Sequence, residues 1–178
     1  MKLLRLFHFI VLLAVFATGT PGYAESLVRI QVSKSARILR VYQNDKVVHE
    51  YKVALGTSPI GPKLVEGDRK TPEGRYYICS RNSKSRFFLS LGISYPNTDD
   101  AAVGLATHLI TKSQFDEIAR CNKKGKTPPW NTKLGGEIMI HGCGTASDWT
   151  WGCIALENSD VKELFDAIEV GTAVEILE

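Results

Sequence analysis

A mainly β fold with minor α content and one helix-containing insertion is what the sequence predicts, and three observations predict it. Short apolar or alternating runs bounded by turn residues fill the first part of the chain after residue 25. The stretch 94–136 breaks that rhythm, with one helical pattern and then a run rich in Lys, Gly and Pro. A single amphipathic helix pattern then precedes a last apolar run near the C-terminus.

The elements follow in order. Residues 1–24 have a basic start, an unbroken apolar stretch from Phe9 to Ala17, and small Gly22 and Ala24 around Tyr23. That is the shape of a secretory signal peptide with cleavage after Ala24. The alternative is an uncleaved anchor, although the apolar stretch falls short of the ~20 residues a span needs, and no later segment approaches a span. The domain is therefore expected to cover 25–178, exported to the periplasm, with no stable membrane span after cleavage.

Strands are predicted over Leu27 to Val32, Ile38 to Tyr42 and Val47 to Leu55, with Asn44-Asp45-Lys46 turning between the last two. Residues 56–74 are dense in Gly and Pro and carry no apolar stripe, so they read as a long loop. Strands resume at Arg75 to Cys79 and Phe87 to Ile93. The insertion 94–136 holds a helix around Ser113 to Cys121 and reads as a lid over a site. Glu137 to Ile140 is a strand that delivers His141. Asn158 is expected to cap a helix whose apolar positions Val161, Leu164, Phe165 and Ile168 share one face, and Gly171 ends it before a strand over Thr172 to Leu177.

Bulk composition bounds the function. At 178 residues and 44% hydrophobic content, one domain with a real core fits and two do not. The net charge of +3 includes Lys2 and Arg5, so the chain beyond residue 24 is at +1, far from the concentrated basic face that nucleic acid demands. Export implies an oxidising compartment, so Cys79, Cys121, Cys143 and Cys153 are candidates for disulfides as well as for chemistry. Pairing of Cys121 with Cys79 or with Cys143 is favoured, and a Cys143–Cys153 bond would silence a catalytic thiol.

The informative segment is IMIHGCGTASDWTWGCIALEN, residues 138–158. A thiol attacks as thiolate, so a catalytic Cys needs a base within hydrogen-bond reach and N–H groups to hold the oxyanion it creates. Cys153, after Gly152 and before a short apolar run, has the right surroundings for a nucleophile. His141, leaving a strand beside Gly142, is the matching base. Thr150, Asp148, Trp149, Trp151 and the more distant Tyr95 are candidate substrate contacts, each with a packing or turn role as its alternative. A zinc site of His141, Cys143 and Cys153 lacks the Cys-x-x-Cys knuckle, and no metal is expected.

Gly56-Thr57, then Gly67-Asp68-Arg69-Lys70-Thr71-Pro72-Glu73-Gly74, then His141-Gly142, then Gly152-Cys153-Ile154 with Asn158, together resemble the L,D-transpeptidase (YkuD-type) catalytic domain. The resemblance covers nearly all of 26–178 in the expected order. It implies a β-sandwich, no metal or organic cofactor, and peptidoglycan stem peptides as substrate. Cys153 would attack the third-position carbonyl of a tetrapeptide stem and expel D-Ala. His141 would move the proton, Gly142 would orient the imidazole, and N–H groups near Gly152 and Cys153 would form the oxyanion hole. The family signature Ser-His-Gly-Cys-Ile/Val-Arg becomes Thr150-Trp151-Gly152-Cys153-Ile154-Ala155 here, so its Arg is absent. Gly-Cys-Ile/Tyr-Ala resembles a branch that includes hydrolases releasing an anchored lipoprotein from peptidoglycan. Cross-linking or protein attachment is thus the leading expectation. Hydrolysis of the same bond is the rival, and a non-catalytic wall-binding module the alternative of another class.

Overall fold

The computed structural model describes residues 28–178, and the signal-peptide reading of 1–24 lies outside them. Eight strands form one mixed sheet in the order β3-β2-β1-β8-β4-β5-β6-β7. β1 (Val28–Ser33), β2 (Ile38–Gln43) and β3 (Lys46–Lys52) are the antiparallel meander that the alternating pattern predicts. Asn44 and Asp45, at φ 49 and 63, supply its tight turn, a conformation these two residue types tolerate better than most. β8 (Ala173–Leu177) runs parallel to β1, and β4 (Gly74–Ser85) pairs antiparallel with β8. β5 (Phe88–Ile93), β6 (Met139–His141) and β7 (Ile154–Ala155) complete the sheet, with β6 and β7 parallel.

The two ends of this sheet meet. Ala54, just beyond β3, exchanges both backbone hydrogen bonds with Ala155 of β7, at 2.9 and 2.8 Å. Gly56 makes a parallel bridge to Thr150, in which Thr150 donates to the Leu55 carbonyl and accepts the Thr57 N–H, each at 3.1 Å. The sheet therefore curls over one core in which Ile30, Leu39 and Leu55 from one end join Ile78, Leu91, Ile140 and Ile154 from the other. α3 (Asn158–Ala167) packs against β5 through Val161 and Leu164, as the i, i+3 spacing requires.

Two details differ from expectation. Asn158 is not the cap of α3: Glu157 holds that position, and the Asn158 side chain instead accepts the N–H of Cys143 at 2.9 Å. The insertion contains two helices, α1 (Thr98–Ala106) and α2 (Lys112–Lys123), where periodicity showed only the second. α1 buries only Ala101 and Gly104, too small a stripe to register as hydrophobic, yet Asn97 and Asp100 form a full capping box that marked its start. The two helices enclose a satellite core of Ala101, Ile110, Ile118 and Leu134.

Two buried lysines organise the 56–74 loop. Lys34 Nζ bonds Glu73 and the carbonyls of Gly61 and Thr71, and Lys63 Nζ bonds Asp68 and the Val65 carbonyl. The Asp68 carboxylate also accepts the N–H groups of Leu64, Val65 and Lys70, and outweighing its own burial these bonds hold it below the usual carboxylate range.

Asp100 goes the other way. Its carboxyl, beside Asn97 and Tyr76, is pushed up by burial to about 6. The folded state therefore holds this proton more tightly than the unfolded chain, and wild-type stability falls as pH rises from 3.8 to about 6. Asp100→Asn, which keeps an acceptor and has no charge, is expected to gain about 1–3 kcal/mol on wild type across that window, measured as urea unfolding midpoints at pH 4 and pH 7.

Candidate active site

Cys153 sits in the loop entering β7, and the parallel pairing of β6 with β7 sets it beside Met139. Its Sγ accepts the Met139 N–H at 3.4 Å and donates to the Glu137 carbonyl at 3.5 Å. Burial, the largest influence, raises the thiol above its ordinary range. The Met139 N–H, Lys63 and Arg86 oppose that rise and Glu137 adds to it. Burial thus favours the neutral thiol over the thiolate.

His141 ends β6 on the same side of the strand as Met139 and is 2% exposed. Its Nδ1 lies 2.7 Å from the Gly142 carbonyl. A carbonyl only accepts, so Nδ1 carries the proton and Nε2 keeps its lone pair. Burial lowers the imidazole pKa, and the Gly142 bond offsets only part of this. The ring is clamped by Phe87, stacked at 4.6 Å, and by the edge of Trp149 at 5.5 Å. No hydrogen bond joins Sγ to the imidazole among the described residues, as is common before a substrate draws such a pair together.

The loop that presents the thiol is built from its own side chains. Thr150 is buried, and its hydroxyl donates to the Cys153 carbonyl at 2.7 Å while accepting the Gly152 N–H at 3.1 Å. The Gly152 N–H is thus engaged, whereas the Cys153 N–H has no hydrogen-bond partner among the described residues. Gly152, at φ +123, lies where a Cβ would come within 2.6 Å of the Lys70 carbonyl, so the loop and the 56–74 segment interlock only with glycine here.

Asp148 is a brace. It forms a two-pronged ion pair with Arg37 of the β1–β2 turn and accepts the Leu55 N–H at 2.9 Å. Arg37 therefore anchors the Cys153 loop with a cation. The position where the family signature has Arg is buried Ala155, paired with Ala54. Asp148→Ala, which orphans the Leu55 N–H and takes the carboxylate from the Arg37 guanidinium, leaving that group its bond to the Lys34 carbonyl, is expected to cost about 1–3 kcal/mol in urea unfolding and to lower activity through loop disorder.

Several sequence candidates take other places. Tyr95 is fully buried and donates to the Leu134 carbonyl at 3.1 Å, so it packs the core and lines no cleft. Trp149 donates to the Gly144 carbonyl and packs on His141. Trp151 alone of this set is open, 73% exposed, with the Arg69 guanidinium 5.1 Å from its ring centre. Neither favoured disulfide is formed: Cys79, Cys121, Cys143 and Cys153 are all free. Cys143 is exposed, at φ 81, its loop tied to α3 through Asn158 and Glu157. Phe87, which the sequence marked only as a strand residue, is the site residue missed.

Among the described residues, no cluster of three or more His, Cys, Asp or Glu could hold a metal ion, and no helix is long and apolar enough to cross a membrane.

The sequence model of the YkuD family, the L,D-transpeptidase catalytic domain, matches residues 27–176. The Escherichia coli K12 protein YafK, whose name marks it as a candidate L,D-transpeptidase, is 26% identical over 156 residues, 84% of this chain and 48% of YafK. The crystal structure of the helical cell shape determining protein Pgp2 (K307A mutant) from Campylobacter jejuni is 25% identical, with TM-score 0.59 over 86% of this chain and 48% of that one. Mycobacterium tuberculosis L,D-transpeptidase 1, 14% identical with TM-score 0.51 over 86% of this chain and 62% of that one, shares the fold. The chain spans about half the length of YafK and of Pgp2.

Proposed function

This chain belongs to the YkuD family of L,D-transpeptidase catalytic domains, and on that premise we propose that it is an exported, peptidoglycan-acting acyltransferase with Cys153 as nucleophile and His141 as base. The observation that carries the reading is the His141–Gly142 bond, which leaves Nε2 unprotonated at the end of the strand that flanks the thiol.

In the first half-reaction Nε2 takes the thiol proton as Sγ bonds to the carbonyl carbon of the third stem residue. The unengaged Cys153 N–H supports the oxyanion. The C–N bond then breaks, His141 returns the proton to the leaving amine, and a thioester remains. An amine from a second stem or protein resolves it by transfer, or water by hydrolysis, and Sγ leaves to recover its proton. The insertion, tied to the 56–74 loop by the Glu66 N–H on the Lys133 carbonyl, would border the cleft.

Incubating the protein with purified tetrapeptide muropeptides and reading products by mass tests this. Dimers report amine attack, and tripeptides with free D-Ala report water. If neither appears, and none appears with lipoprotein-linked fragments, the enzymatic reading fails and a wall-binding role replaces it.

A further inference from the structure

Lys63 and Arg86 are cations that oppose the rise of the Cys153 thiol, and they differ in what else they do. Lys63 is 4% exposed and spent on Asp68 and the Val65 carbonyl. Arg86 is exposed and makes no hydrogen bond or ion pair among the described residues; its guanidinium rests 4.8 Å from the centre of the Phe87 ring. Phe87 in turn stacks on His141 and accepts the Gly142 N–H through its carbonyl at 3.1 Å. An uncommitted guanidinium is thereby attached, through one aromatic ring, to the imidazole side of the site. Arg69, the other open guanidinium near the Cys153 loop, lies over Trp151 and not over the ring that stacks on His141.

We propose that Arg86 is a specificity residue that binds the carboxylate of the leaving amino acid. This rests on the acyl-transfer reading above, in which His141 protonates the leaving amine. In a leaving D-Ala the carboxylate carbon lies two bonds, about 2.5 Å, from that nitrogen, so the anion arrives beside His141, whose stacked partner Phe87 carries the Arg86 guanidinium. An amine leaving from a lysine side chain, as in a protein joined to the wall, has its backbone carbonyl carbon six bonds away, and that carbon is a carboxylate only where the lysine is C-terminal. Arg86 therefore favours stems that end in a free D-amino acid over lysyl-linked stems, a choice that neither Cys153 nor His141 can make. A guanidinium suits this role because its planar fork matches a carboxylate.

Calorimetric binding to the full chain carrying Cys153→Ala tests the assignment without turnover. The probes are a tetrapeptide ending in diaminopimelate-D-Ala and the same peptide as its C-terminal amide. The free acid is expected to bind about tenfold more tightly than the amide. Adding Arg86→Gln should remove that difference by weakening the acid alone, and Arg86→Lys should restore part of it. Equal weakening of acid and amide would show that Arg86 acts only by holding Phe87, and would overturn the proposal. So would an unchanged affinity for the acid, or no binding of either peptide. If the acid–amide difference holds while wild type turns over neither peptide, the catalytic reading fails and the carboxylate site stands.

Discussion

Cys153→Ala is expected to lower D-Ala release from a tetrapeptide stem by on the order of 10⁴-fold or more, the usual consequence of removing a covalent nucleophile. Its melting temperature should stay close to that of wild type. The loop around the nucleophile is held by the Thr150 hydroxyl, the Arg37–Asp148 pair and the backbone exchange between Ala54 and Ala155, and none of these uses Sγ. Intact mass after mixing with substrate checks the mechanism directly: wild type gains the acyl mass at Cys153 and the variant gains nothing. An acylated Cys153→Ala protein, or undiminished D-Ala release, would exclude this thiol as nucleophile.

The same geometry predicts how the thiol behaves toward an alkylating agent. Burial raises Cys153 above the ordinary thiol range, so little thiolate exists at neutral pH without substrate. Iodoacetamide at pH 7 should modify exposed Cys143 first. Cys153 should follow only as the solution becomes alkaline. Slow labelling of Cys153 is thus what an active enzyme with a neutral resting pair would show, and it does not argue for a merely binding role.

The sequence made some of this legible and hid the rest for physical reasons. The meander of β1, β2 and β3 and the buried face of α3 follow from periodicity, because each element buries one face and the pattern records it. The closure of the sheet through Ala54 and Ala155 does not, since it depends on backbone hydrogen bonds between two small residues about a hundred positions apart. Buried Lys34 and Lys63 were equally invisible: a lysine is ordinarily a surface residue, and only the fold brings carbonyls and a carboxylate around its ammonium. Around the Cys153 thiol, spacing and resemblance offered Cys153, His141, Gly142 and Gly152 as candidates, and the pairing of β6 with β7 sets the two side-chain-bearing ones on neighbouring strand positions. Spacing and resemblance could not assign Trp149 to packing, Tyr95 to the core or Asp148 to an ion pair with Arg37, because each of those roles is defined by a partner distant in sequence.

Replacing His141 by Gln is expected to lower turnover by about 10²–10⁴-fold, and the pH dependence of wild type should show why. Burial pushes the imidazole below its ordinary value of 6.5 and the thiol above its own, so the surroundings of both groups favour their neutral forms in the free enzyme. The active form is lost when Nε2 becomes protonated. The acid limb of kcat/KM is therefore expected below pH 6.5, followed by a plateau through neutrality. A resting thiolate–imidazolium pair would instead place a falling alkaline limb near neutrality, where the imidazolium gives up its proton; such a limb would overturn the neutral-pair assignment. Stability supplies an independent reading of the same group. Because the folded state binds the His141 proton less readily than the unfolded chain, this residue's contribution is fully present above pH 6.5 and is lost as pH falls toward the folded-state value. His141→Gln has no such proton to take up, so the difference in unfolding midpoint between wild type and variant should narrow on acidification. A constant difference would mean that His141 is as easily protonated folded as unfolded, and its burial between Phe87 and Trp149 would then have no bearing on its role as base.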